Sequence, residues 1–237
     1  MNLLLFRPEQ REDTGQLRID GRQHRHLLAY LNAEPGDTIK VGEIGGQIGR
    51  ATVLQITASE ALLEVTLERA PPAAVDITLI LALPRPKMLK RIFQTAASLG
   101  IKTIHLVNSY RVEKSYWQTP WLAPGSIEEQ LILGLEQSCD TVLPQVHLHK
   151  RFKPFVEDQL PKLIENTTPL VAHPYTDTPC PTAKTGPVSL AIGPEGGFIP
   201  YEVDKLEQVG FQTVSLGPRI LRVETAIPVL VSRLTAC

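Results

Sequence analysis

One stretch constrains the fold more than any other: SLAIGPEGGFIPYEVDKL, residues 189–206. Its first residues form a continuous apolar run, as carried by strands buried on both faces. The run meets three glycines in five residues, Gly193 to Gly197, and then opens into a helical pattern. A buried strand that passes directly into a helix is a unit of a parallel sheet. In such sheets ligands sit on the loops at the carboxyl ends of the strands. Glycines let that backbone take positive φ and approach a ligand closely. No Gly-Lys-Ser/Thr follows, so this is not a Walker A loop, and it is not G-x-G-x-x-G. An ordinary strand-to-helix turn would use the same residue types.

The pattern repeats along most of the chain. VDITLILAL (75–83), TIHLV (103–107), TPLVAH (168–173) and TVSL (213–216) read as further strands. Residues 87–99 place Leu89, Ile92, Phe93, Ala96 and Leu99 at helical spacing, with Gly100 as the stop. SIEEQLILGLEQS (126–138) reads as a helix with Ser126 as N-cap and an acidic first turn. Two more helices are expected over Tyr201–Val209 and Val223–Leu234. Residues 75–237 therefore read as an α/β domain with a mostly parallel sheet.

The first 70 residues differ. DTIKVGE, QIGRATVLQI and ALLEVTLER are strand-like, with turn glycines between them. RQHRHLLAYL (22–31) adds one helix, with Leu27, Leu28 and Leu31 on one face. A small barrel with one helix fits, and ERAPPAAVD (68–76) reads as a linker to the next domain.

Composition excludes several classes. Aromatics make up 5%, too few for a broad base-stacking platform. The net charge of −1 gives no overall basic field, so any nucleic-acid surface must be local. Two basic clusters qualify: Arg85, Lys87, Lys90 and Arg91, and Arg22, His24, Arg25 and His26. Phosphate contacts need such groups, although a solvated helix face looks alike. Cys139, Cys180 and Cys237 are odd in number and widely spaced, so a disulfide framework is not expected and a reducing, cytoplasmic location is. MNLLLFRPEQ lacks a basic n-region and reads as a first strand rather than a signal peptide. No apolar stretch reaches the roughly 20 residues of a membrane span. His147 and His149 alternate on a strand without an evident third ligand, so no metal is expected.

A second loop stands near the end of the chain. In SLGPRILRVETAIPVL (215–230), Gly217-Pro218 forms a turn, and Arg219, Arg222, Glu224 and Thr225 crowd into seven residues beside apolar runs. Charges in such a setting are paired or functional. A solvated helix start with Glu224 on the dipole is the plainer alternative.

IGPEGG and LGPRILRVET, in this order, resemble the SPOUT methyltransferases, and most closely the RsmE-type 16S rRNA (uridine-N3)-methyltransferases. RHLLAYLNAEPGDTI, LGIKTI, Ser109-Tyr110-Arg111, the EQS of residues 136–138 and Ala172-His173-Pro174 agree as well, so the resemblance spans nearly the whole chain. It implies a PUA-like or OB-like β-barrel over 1–70 that binds RNA, then a SPOUT domain over 75–237 with a C-terminal trefoil knot. It implies S-adenosylmethionine as cofactor, held by Ala172, His173, Gly193, Glu195, Gly197, Leu216, Gly217, Ile220 and Leu221. Arg222 and Glu224 take the catalytic positions; Arg25, Arg85, Lys87 and Arg91 take the RNA. The implied enzyme is a metal-free cytoplasmic homodimer that methylates N3 of a uridine in 16S rRNA or the small ribosomal subunit. The alternatives are another RNA substrate for the same fold, or a non-catalytic RNA-binding assembly factor. Asp140, Ser98 and Asn32 depart from the family pattern, where Gly-Arg, Glu and Arg are usual.

Overall fold

The computed structural model describes residues 2–235. They form two compact units. One comprises residues up to 73 together with 132–143, and the other 74–131 together with 144 onward. The chain is α/β, with one mixed and one parallel sheet.

The smaller unit is built on β1 (Leu4–Phe6), β2 (Gln16–Ile19), β3 (Thr38–Glu43), β4 (Ile48–Ile56) and β5 (Ala61–Arg69), in the order β1-β3-β4-β5-β2. β1 runs parallel to β3 and the other pairs are antiparallel. Phe6, Leu17, Val41 and Leu63 are buried in its core together with Leu27.

The helix Gly21–Ala29 turns a different face inward from the one its leucines suggest. His24 and Leu27 are buried, whereas Leu28 and Leu31 are exposed. The helix ends at Ala29, so Leu31 does not continue its face. Asn32 takes φ +47° and Ala33 N–H reaches back to the Leu27 carbonyl at 3.0 Å. Asparagine suits that left-handed exit.

Residues 132–143 are stitched into this unit. The Glu136 carbonyl accepts the N–H groups of Asn2 and Leu3, both at 3.0 Å. The buried Glu136 carboxylate accepts from Arg22 at 2.8 Å and Gln23 at 3.1 Å. A Cβ on Gly42 would lie 2.7 Å from Thr141 Cγ2, so this close approach needs glycine. Asp140 is buried too, and its Oδ1 accepts from Val142 N at 2.9 Å. It closes the turn after the helix. The helix itself begins at Pro124, so Ser126 lies inside its first turn rather than capping it, and that turn carries no acidic residue. Ile127 N–H bonds the Ala123 carbonyl at 3.0 Å, and proline suits a first turn where its missing N–H costs nothing.

The larger unit carries β6 (Ile77–Ala82), β7 (Thr103–Val107), β8 (Gln145–His149), β9 (Thr168–Ala172), β10 (Val188–Ile192) and β11 (Gln212–Val214). All neighbours are parallel, in the order β11-β9-β10-β6-β7-β8. Every residue of β10 is buried. Its one hydroxyl, Ser189, is satisfied by Thr167 at 2.9 Å. The helix Pro86–Ser98 buries Leu89, Ile92, Phe93 and Ala96, and Gly100 leaves it at φ +81°. Helices Pro200–Gln208 and Val223–Leu234 follow β10 and β11. Strand TVSL ends two residues early, at Val214, and Ser215 makes an isolated parallel bridge to Pro179, donating its N–H to the Thr178 carbonyl and accepting Cys180 N–H. The chain steps outward from β6 to β8, then crosses to β9 and returns through β10 beside β6. That reversal is where open α/β sheets bind ligands.

Among the described residues no helix is long and apolar enough to cross a membrane. Cys139 and Cys180 are free thiols, and Cys237 lies outside the described residues.

Candidate active site

Three loops leave the carboxyl ends of β9, β10 and β11 and enclose a pocket of about 330 Å³. Ala172 and His173 come from the first loop, Gly193, Glu195 and Gly197 from the second, and Leu216, Gly217, Ile220 and Leu221 from the third. The structure thus brings all the residues singled out for a cofactor to one cavity. Sequence reasoning missed its floor: Val223, Ala226 and Leu230, successive turns of the terminal helix. Their spacing of three and four was legible as a helical face, but nothing local said which face met the pocket.

Glycine has different reasons in different places. A Cβ on Gly193 would sit 2.8 Å from Phe198 N, so the loop doubles back on itself there. Gly197 has open space around it but φ +73°, which a side chain resists. Burial lowers the His173 pKa below the usual imidazole value, so this ring is neutral near pH 7.

The glycine loop is tied down from outside. Glu195 Oε1 accepts Arg85 N–H at 3.0 Å, so this side chain holds the start of helix Pro86–Ser98. Arg111 donates to the Gly196 carbonyl. Glu202, buried at the start of the next helix, accepts Tyr110 N–H at 2.7 Å and Ile199 N–H at 3.0 Å.

Arg222 is the N-cap residue of helix Val223–Leu234, and Glu224 lies in its first turn. Arg222 lines the pocket and also a second cavity of about 730 Å³, walled by Arg85, Pro86, Lys87, Met88, Tyr116, Glu195 and Glu224. Arg222 and Glu224 make no ion pair with each other among the described residues, though both line the second cavity.

The basic clusters divide. Arg85, Lys87 and Arg91 are exposed, and Arg85 and Lys87 meet Arg222 at the second cavity. Lys90 instead sits 3.6 Å from the Trp121 ring centroid in a cation–π contact. In the smaller unit Arg25 is exposed, while Arg22 pairs with Glu136 and His24 is buried with Nε2 3.0 Å from the Thr57 carbonyl. The second cluster therefore offers fewer free cations than its sequence suggests.

His147 and His149 do share a face of β8, with His105 of β7 between them. The His105 ring stacks on His147 at 4.8 Å, and its Nδ1 lies 2.9 Å from His149 Nε2.

A pocket over the carboxyl ends of three neighbouring parallel strands, with Arg222 and Glu195 among its lining residues, defines a ligand-binding α/β protein. The chain belongs to the RNA methyltransferase domain family, whose sequence pattern matches residues 71–235. More particularly, it is similar to the ribosomal RNA small subunit methyltransferase E of Treponema pallidum, with 29% identity over 95% of this chain and 87% of that protein. The enzyme of the same name from Mycobacterium bovis is 25% identical over 97% of this chain and 90% of that protein. The crystal structure of ribosomal RNA small subunit methyltransferase E from Neisseria gonorrhoeae, bound to S-adenosyl methionine, has the same fold: TM-score 0.75 at 23% identity, covering 97% of this chain and 95% of that one.

Proposed function

We propose that this protein is an S-adenosylmethionine-dependent methyltransferase that modifies N3 of a uridine in 16S ribosomal RNA. The observation that carries the reading is the convergence of Ala172-His173, the Gly193–Gly197 loop and the Leu216–Leu221 loop on one pocket.

The residues there fit the cofactor. An apolar floor of Val223, Ala226 and Leu230 suits an adenine face, and loop N–H and C=O groups suit its polar edges. A bound S-adenosylmethionine supplies an electrophilic methyl group. The protein's tasks are then positioning and electrostatics. Uridine N3 is an imide nitrogen, mostly protonated at neutral pH. Arg222 stabilises the uracil oxygen on which negative charge grows as that proton leaves. Glu224, a carboxylate lining the same cavity as Arg222, receives the proton in this reading.

The finer fold follows the same reading. The mixed five-stranded sheet and its helix form a PUA-like RNA-binding domain, with Arg25 on its surface. The terminal segment threads a trefoil knot. Ala183 and Lys184 N–H bond the Arg233 and Leu234 carbonyls at 2.9 and 2.8 Å, so the end of the terminal helix lies beside the chain before β10, as that reading requires. Arg85, Lys87 and Arg91 take phosphates of the small ribosomal subunit. The enzyme works as a cytoplasmic homodimer; sedimentation of an active preparation at micromolar concentration should give twice the chain mass.

The test is a mass-mapped methylation profile of 16S rRNA from cells lacking the gene, with purified protein added back. Loss and restoration of one N3-methyluridine is expected. An unchanged profile, or protein that binds no S-adenosylmethionine by calorimetry, overturns the reading.

A further inference from the structure

We propose that the second cavity, beside the glycine-loop pocket, is the seat of the acceptor pyrimidine, and that Tyr116 is the aromatic face on which the base lies. This rests on the functional reading above and adds to it a place and a recognition residue.

The two cavities share a wall. Glu195 and Arg222 line both, so a group in the second cavity meets the first across the Arg222 side chain. An acceptor has to lie in such a neighbouring space, since the cofactor fills the first. At about 730 Å³ the second cavity has the size of an ordinary small-ligand site. Its charges are sorted for a nucleotide. Arg85 and Lys87 are exposed, as phosphate contacts require. Arg222 offers a planar fork for a carbonyl oxygen beside N3. Glu224 offers a carboxylate to accept a proton, whereas Glu195, also lining the cavity, already accepts Arg85 N–H.

Tyr116 supplies what a withdrawn base loses. Enzymes that act on a base take it out of its stack, and an aromatic ring replaces the lost neighbours. The Tyr116 hydroxyl donates to Glu113 Oε1 at 3.1 Å, so its polar edge is already engaged and the ring face is what remains for a ligand. Its position is held by the adjoining residue: Trp117 Nε1 donates to Asn108 Oδ1 at 2.8 Å, fixing the turn to the end of β7. Burial and the Glu113 hydrogen bond raise the phenol pKa, so the ring stays neutral and does not repel phosphate. In a chain with five tyrosines, one lining the same cavity as Arg222 and Glu224 is informative.

The experiment uses full-length protein, purified small ribosomal subunits lacking the modification, and S-adenosylmethionine. Cofactor affinity is measured by calorimetry, and methyl transfer by steady-state kinetics, for wild type, Tyr116→Leu, Tyr116→Phe and Tyr116→Trp. We expect Tyr116→Leu to keep its cofactor affinity and lose on the order of ten-fold or more in kcat/KM for the subunit, mainly through KM. Tyr116→Phe and Tyr116→Trp should recover most of that loss, because each restores a flat ring. Tyr116→Leu with wild-type kcat/KM overturns this inference alone. So does a leucine variant that loses cofactor affinity in parallel, which would assign Tyr116 to the first pocket. Wild-type protein that binds cofactor but transfers no methyl group to the subunit overturns the functional reading and this inference together.

Discussion

The Glu202 carboxylate receives the backbone N–H of Tyr110 at 2.7 Å, across 92 residues of sequence. Its other oxygen receives Ile199 N–H at 3.0 Å. One buried side chain therefore joins the loop after β7 to the exit of the glycine loop. Glu202→Ala should leave these donors without their acceptor, at a cost of roughly 1–3 kcal/mol each. Glu202→Gln, which keeps one acceptor oxygen, should lose less. Chemical denaturation of both variants checks this; equal stability of Glu202→Ala and wild type would remove the strut.

Gly193 and Gly197 of the loop should fail differently. Gly193→Ala places a Cβ 2.8 Å from Phe198 N, and the neighbour is backbone that cannot swing aside. We expect a stability loss of about 1–3 kcal/mol. Gly197→Val meets no atom, but forces a β-branched residue to φ +73°. It should cost roughly 1–2 kcal/mol in strain and abolish cofactor binding by filling the open space. Calorimetry with S-adenosylmethionine, beside a melting curve, separates the outcomes. Unchanged affinity in Gly197→Val would show that the open space is not the cofactor's.

Arg222→Ala should bind cofactor normally yet slow the chemical step on the order of 10²-fold or more, if its role is to stabilise developing charge. Arg222→Lys should recover only part, because an ammonium lacks the planar fork. Single-turnover methylation of a small subunit reads this directly. A near-normal rate in the alanine variant would leave Arg222 as a helix-start residue.

Acid should weaken the fold through His105. Burial first, and then the neighbouring His147 and His149, lower its pKa from 6.5 to about 4. Between those values the unfolded chain takes up a proton that the native state refuses. Stability is therefore complete above pH 6.5 and falls as the pH drops towards 4, by roughly 3 kcal/mol from this ring. His105→Leu should flatten that slope. Denaturation at pH 7, 5.5 and 4.5 tests it, and parallel slopes in variant and wild type would exclude His105 as the cause.

The chain's periodicities carried a good deal of this. Strand β10, the helix Pro86–Ser98 and the turn at Gly217 are where their residues put them. Each depends on neighbours three to five positions away, which a linear pattern can display. The two loops that line the first pocket were also readable as turns, because glycine marks backbone geometry locally. The order of the parallel strands is not local. It alone brings residue 172 beside residues 193 and 216 at one pocket, and places Tyr116 and Arg85 with Arg222 at the next. The same holds where local reading failed. His24 is inside and Leu28 outside because the Gly21–Ala29 helix meets its sheet by one narrow face and stops before Leu31. Residues 132–143 join the smaller unit through backbone bonds to Asn2 and Leu3, over 130 positions away, which no helical period announces. Periodicity and glycine determined the elements and the loops; long-range register and packing decided which loops meet, because hydrogen bonds and burial act through space whatever the separation along the chain.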